Sequence, residues 1–270
     1  MKLFVISDPH GFYGHTVKAL TKAGFFKALE NNEDCKLVLC GDMLDRGEEV
    51  NALVNLMLDL DKQGKLVYIY GNHEQLLYDC LRDISAGRIE QVVSPLSHHI
   101  HNGTWDTLLK LAKMSDREGY DSPYTLVDRV RASKYYTELL PTVVNYYETE
   151  KYIFTHGWIP YDVTYPDCKP IYLPDWRKDD PGGWRVARWD NGMKLCCEHG
   201  VKEEGKTIVC GHWHASYGHA KYGKQGSEDG EDAIFTPFSA PGILAIDGCT
   251  AYSGIVNCVV IEDTPLKEEN

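Results

Sequence analysis

Five apolar runs in this 270-residue chain each end on a side chain able to bind a metal ion, and that repetition limits the available folds more than any other feature. Asp8 and His10 follow "FVIS", Asp42 follows "LVLCG", Asn72 follows "VYIYG", His156 follows "YIFT" and His212 follows "TIVCG". Asp8, Asp42 and Asn72 are each about 30 residues from the next, the length of a βαβ unit. Parallel strands joined in this way carry their functional groups at one edge, in the loops beyond their carboxyl ends. Gly41, Gly71 and Gly211 directly precede three of the ligands. A residue without Cβ there lets the backbone turn sharply and come close to an ion.

The segments between these runs read as helices. Val17 and Leu20 mark a weak stripe, Val50, Leu53, Val54 and Met57 a clear one, and Leu77, Cys80, Leu81 and Ile84 a third that begins near Glu74. Residues 85–140 interrupt the strand rhythm with a mostly helical insertion carrying Trp105, Leu108, Leu109 and Ala112 at helical spacing. Strand signals return from about 143 as "TVVNYYE", "KYIFTH", "KTIVCGH", "GILAID" and "GIVNCVVIED", the first two joined by a turn at "ETEK". Residues 158–193, with four tryptophans among prolines and glycines, read as a long ordered loop, and "YGKQGSEDGED" as a mobile one. No repeat or boundary divides the chain, so one domain over 1–270 is expected, with 85–140 inside it.

A net charge of −12 argues against a surface built for nucleic acid or an anionic membrane. Nine cysteines, without a CxxC pair, read as reduced thiols. "MKLFVISDPHG" lacks a secretory apolar stretch and no later segment approaches a membrane span, which points to a cytoplasmic protein.

Carboxylate, carboxamide and imidazole without thiolate suit Mn, Fe or Zn better than Ca. Six protein ligands are too many for one catalytic ion and suit two, about 3.5–4 Å apart, sharing a carboxylate. Asp42, at the centre of the series, is the expected bridge. A lone histidine such as His15, His98 or His199 is more simply a surface or core residue, and "DPH" alone is more simply a turn. The ordered series is what sets the six apart.

Together "SDPHG", "GDMLDRG", "GNHE", "HGW" and "GHW" resemble, in order and spacing, the calcineurin-like metallophosphoesterases, most closely the serine/threonine phosphoprotein phosphatase branch that includes phage and bacterial enzymes. The resemblance runs from residue 3 to about 261. It implies an α/β fold, a central β-sandwich flanked by helices, with a dinuclear centre at one edge. By the same resemblance, Asp8, His10 and Asp42 hold one divalent ion, and Asp42, Asn72, His156 and His212 the other. His73 becomes the general acid, aimed by Asp45. Arg46, with a second arginine from "VARW", holds the phosphoryl group, and position favours Arg188 over Arg185. A hydroxide bridging the ions attacks phosphorus directly, without a phosphoenzyme. Glu74 is expected to complement the helix dipole rather than to act in catalysis.

Ser7 and Pro9 depart from the branch pattern, and the second histidine of "GHWH", His214, is a metal ligand in other metallophosphoesterases, so its role stays open here. The expected activity is metal-dependent hydrolysis of phosphoserine and phosphothreonine, with phosphotyrosine or a small phosphoester as further substrates and Mn as the first choice of ion. A dinucleoside tetraphosphate hydrolase is the alternative; those enzymes typically read ARG for DRG and GNHD for GNHE. A nuclease or phosphodiesterase is suggested only by GHxH. A scaffold that has lost catalysis would have lost some of these residues, and none is missing.

Overall fold

The computed structural model describes residues 1–178 and 181–266. Eleven strands occur among them: β1 Lys2–Ile6, β2 Cys35–Leu39, β3 Leu66–Tyr68, β4 Tyr147–Glu148, β5 Tyr152–Phe154, β6 Tyr161–Thr164, β7 Lys169–Tyr172, β8 Thr207–Cys210, β9 Phe238–Ala240, β10 Ile243–Ala245 and β11 Val259–Glu262. A four-stranded sheet runs β11-β1-β2-β3, with β1, β2 and β3 parallel. A five-stranded sheet runs β4-β5-β8-β10-β9, with β5, β8 and β10 parallel.

Alternation of side chains along the strands builds three cores. Leu3, Val5 and Val38 from the first sheet meet Phe154, Val209 and Ile246 of the second. Phe4, Ile6, Leu37 and Leu39, on the opposite face, pack under helices Tyr13–Ala23, Val50–Lys62 and Asn72–Ser85. Ile153, Ile208 and Ile243 pack under helix Gly192–His199 and the tryptophans Trp158, Trp176 and Trp184. The result is helix, sheet, sheet, helix, the mixed α/β sandwich that the strand pattern implies.

Residues 85–140 are helical, and Trp105, Leu108, Leu109 and Ala112 are buried in the core shared with the first sheet's helices. Segment 158–193 corrects the sequence reading, because it is not a loop throughout. It holds the β6–β7 ribbon and the helix Pro181–Ala187. Pro166 lies in the turn of that ribbon and Pro181 opens that helix, while Trp176 and Trp184 drive the segment's burial. "TVVNYYE" and "GIVNCVVIED" yield only the short strands β4 and β11. All nine cysteines are free. No helix is long and apolar enough to cross a membrane among the described residues.

Candidate active site

Because the two sheets present the carboxyl ends of β1, β2, β3, β5 and β8 at one edge, the ligand series converges there. Residues from all five strand ends line a cleft of 310 Å³ or stand directly behind it. Two groups of donors lie within 4.8 Å of one another: His10, Asp42 and His73, and Asp42, His156 and His212. Asp42 belongs to both, the position a bridging carboxylate must hold. Its Oδ1 is 3.2 Å from His156 Nε2, which is 2.7 Å from Asn72 Oδ1. Atoms around one ion, each about 2.1 Å from it, stand about 3 Å apart, so this spacing fits a shared cation.

The histidines are prepared for that role by carbonyls, which accept but cannot donate. His10 Nδ1 donates to Leu44 O at 2.9 Å, His156 Nδ1 to Cys40 O at 2.8 Å and His212 Nε2 to Trp189 O at 3.0 Å. In each ring this leaves the other nitrogen as the one that would bind metal, once it carries no proton. Charge points the same way. Burial, then repulsion from Asp247, pushes the Asp8 carboxyl well above the usual range. Burial works against the His156 imidazolium, yet Asp42 raises that ring to about 10. Asp8 and His156 therefore favour their protonated forms, a bias that divalent cations would relieve, whereas burial pushes the His10 and His212 rings down.

Asp8, placed in the first set by resemblance, lies outside both groups. Its carboxylate bonds the Ser7 hydroxyl and accepts from the His212 amide at 3.1 Å, so it ties the β1 and β8 loops together. His73 stands in its place beside His10 and Asp42, with Nε2 3.7 Å from Asp42 Oδ2. Its Nδ1 meets Asp45 Oδ2 at 2.7 Å. Arg46 is exposed at the mouth, with one nitrogen 3.3 Å from His10 Nε2 and another 3.5 Å from His73 Nε2.

Arg188 is not beside Arg46. Its guanidinium lies 4.1 Å over the Tyr70 ring and donates to Asn145 Oδ1 at 2.6 Å and Gln75 Oε1 at 3.4 Å, outside the cleft wall. A buried cation takes the niche that offers a ring face and two amide oxygens. Arg185 is also elsewhere, paired with Asp79 at 3.1 Å.

The backbone is held against its preference. Asp8, His10, Asp42, Asp45, Arg46 and His212 all have left-handed φ, between 44° and 72°. Such strain, roughly 1–2 kcal/mol per residue, persists only where surroundings dictate it. Gly41 and Gly71 show how tight they are. A Cβ on Gly41, at φ 80°, would come 2.6 Å from His156 Nδ1 and 2.8 Å from Gly71 Cα, and one on Gly71 would collide with Asp42. These glycines bring ligand loops against one another, rather than only against an ion.

Glu74 is the brace, a role its place in the first helical turn did not disclose. Its Oε2 accepts from Gly71 N at 2.9 Å and Asp42 N at 3.0 Å, and its Oε1 from Met43 N at 2.9 Å. Glu74→Ala strands three buried donors and is expected to lower stability by at least about 3 kcal/mol in urea denaturation, with Glu74→Gln intermediate. A loss below about 1 kcal/mol for Glu74→Ala would refute the brace.

Two threonines had no signal in sequence. Thr104 donates to Asp45 Oδ2 at 2.8 Å, and Thr107 accepts from Asp45 N at 3.1 Å, so the helix Thr104–Ala112 holds the aspartate that faces His73. Asp247 follows β10, is buried and lines the cleft. It was legible in "GILAID", a sixth apolar run ending on an acid. His214 also lines the cleft; its Nδ1 donates to Ser216 Oγ, whose own proton goes to Glu228 O, so Nε2 is bare.

A model of the calcineurin-like phosphoesterase family matches residues 1–216. The asymmetrical bis(5'-nucleosyl)-tetraphosphatase of Bacillus velezensis is 31% identical over 81 residues, 29% of this chain and 32% of that protein, so the match spans about a third of this curated relative. The cold-active protein-tyrosine phosphatase of a psychrophilic Shewanella is similar in structure at 16% identity and a TM-score of 0.48, covering 97% of this chain and 75% of that one. A protein serine/threonine phosphatase from Saccharomyces cerevisiae follows at 11% identity and a TM-score of 0.45, covering 99% and 82%.

Proposed function

Because the chain belongs to the calcineurin-like phosphoesterases, we propose that it is a metal-dependent phosphomonoesterase acting on phosphoserine and phosphothreonine, with Mn as its ions. Asp8, His10 and Asp42 would hold one cation, and Asp42, Asn72, His156 and His212 the other. When bound, the two cations would supply a nucleophile, by lowering the pKa of water, and would neutralise phosphoryl charge. Arg46 offers its guanidinium fork to the phosphoryl oxygens at the mouth.

The observation that carries this reading is the Asp45–His73 pair, 2.7 Å apart and aimed at Asp42. Burial disfavours the His73 imidazolium, but Asp42 and Asp45 outweigh it and raise the ring's pKa, which favours the protonated ring. A serine or threonine alkoxide is a strong base and needs that proton to leave. A nucleotide leaving from an anhydride is a weak base and does not.

Hydrolysis of dinucleoside tetraphosphates is the second reading, favoured by the match to the Bacillus velezensis enzyme. With Mn added, turnover of a phosphoserine peptide is expected to exceed that of diadenosine tetraphosphate, with p-nitrophenyl phosphate reporting the class. The reverse order would give the chain to the second reading.

A further inference from the structure

Arg188, turned away from the cleft, touches the loops of three candidate ligands at once. Two of these contacts are made by the backbone of its own turn. The Arg188 amide donates to Trp184 O at 3.2 Å and the Trp189 amide to Val186 O at 2.9 Å, which sets Trp189 O where it accepts from His212 Nε2 at 3.0 Å. The same turn lies against Gly157, the residue after His156. A Cβ on Gly157 would come 2.4 Å from Ala187 O and 2.7 Å from Arg188 O, and the next amide, Trp158 N, donates to Ala187 O at 2.9 Å.

The side chain reaches the third loop. Its guanidinium lies 4.1 Å over the ring of Tyr70, two residues before Asn72, and donates at 3.4 Å to Gln75 Oε1, three residues after it. A shorter bond, 2.6 Å, goes to Asn145 Oδ1. Asn145 is itself tied to the Tyr70 segment through its neighbour, because Val144 N donates to Tyr68 O and Tyr70 N to Val144 O, both at 2.9 Å. Arg188 is buried, and its Nε has no hydrogen-bond partner among the described residues. A buried cation with an unsatisfied N–H is costlier than an apolar side chain of the same shape, so packing alone does not account for an arginine here.

Resting on the two-cation reading, we propose that Arg188 is a positioning residue, a latch that fixes Asn72, His156 and His212 relative to one another around one cation, and that it does not grip the phosphoryl group. Asn72 and His212 come from different sheets, and Arg188 is where the loops behind them are joined by hydrogen bonds. Partners that orient metal ligands from behind act on metal affinity rather than on substrate.

The test dialyses the full chain against graded Mn, reads bound metal by elemental analysis, and measures inhibition by inorganic phosphate at saturating Mn. Arg188→Met keeps an unbranched side chain over Tyr70 and removes both hydrogen bonds. It is expected to weaken one of the two Mn equivalents by about ten- to a hundred-fold, the range for a lost partner behind a ligand, and to leave the other equivalent and the phosphate inhibition constant unchanged. Asn145→Ala, which leaves the arginine in place and alters a partly buried position, is expected to weaken the same equivalent and serves alone if Arg188→Met does not fold. Unchanged Mn binding in Arg188→Met with phosphate inhibition weakened about ten-fold or more overturns the latch in favour of a phosphate clamp, as does tighter phosphate binding in Asn145→Ala, where the arginine is released. Equal weakening of both equivalents, with a lowered unfolding midpoint of the metal-free protein, assigns Arg188 to the fold and also overturns it. Two wild-type equivalents unmoved by either variant overturn the latch alone, whereas a wild-type chain that takes up no Mn sinks the two-cation reading and the latch with it.

Discussion

Asp42→Asn is expected to lower metal-dependent turnover of p-nitrophenyl phosphate by about three orders of magnitude, the scale on which one preorganised charge contributes in a buried site. Asp42 is the only member common to both donor groups, so its loss weakens the hold on either cation. The fold should survive, since asparagine keeps the oxygen that accepts the His73 amide at 2.9 Å. The variant's ionisation should change as well. Without Asp42 the main influence raising His156 is gone, so that ring becomes easier to deprotonate. Elemental analysis after loading with Mn should find fewer than two equivalents per chain, and wild-type protein stripped by a chelator should fall to the variant's rate and recover with added Mn. Full turnover by Asp42→Asn, or by stripped wild-type protein, would end the dinuclear account.

His73→Asn should separate substrates by leaving group. Alkyl phosphates are expected to lose roughly 10²–10⁴-fold in kcat, the usual contribution of a positioned acid, and p-nitrophenyl phosphate less than about ten-fold, because its phenolate leaves without help. The pH dependence has a definite sign. The His73 pKa is raised, burial opposing and Asp42 with Asp45 prevailing, so the proton donor is lost only as pH rises through that raised value. Alkyl phosphate turnover should therefore decline on the alkaline side in the wild type, and the asparagine variant should lack that decline. Equal losses on both substrates would assign His73 a structural role instead.

The fold was legible because its signals are local. Strand ends at Asp8, Asp42, Asn72, His156 and His212, the helical stripe from Val50 to Met57 and the burial of Trp105 and Leu108 all follow from period and from short motifs. Segment 158–193 was misread because its ribbon and helix are stabilised by Trp176 and Trp184 packing against the second sheet's core, a partner its own sequence does not contain. Asp247 was within reach of the same reasoning that found Asp42.

The amino-acid sequence by itself determined which side chains are available to bind metal, the order in which strands deliver them and the family to which the chain belongs. Only the tertiary structure decided that Glu74 clamps the Asp42 turn, that Thr104 and Thr107 fix Asp45, that Arg188 lies over Tyr70 and that three backbone carbonyls select the histidine tautomers. The reason is physical. A ligand's identity is written at its own position, whereas a hydrogen bond to a carbonyl or hydroxyl far along the chain depends on where packing brings that atom, and every residue carries the same carbonyl.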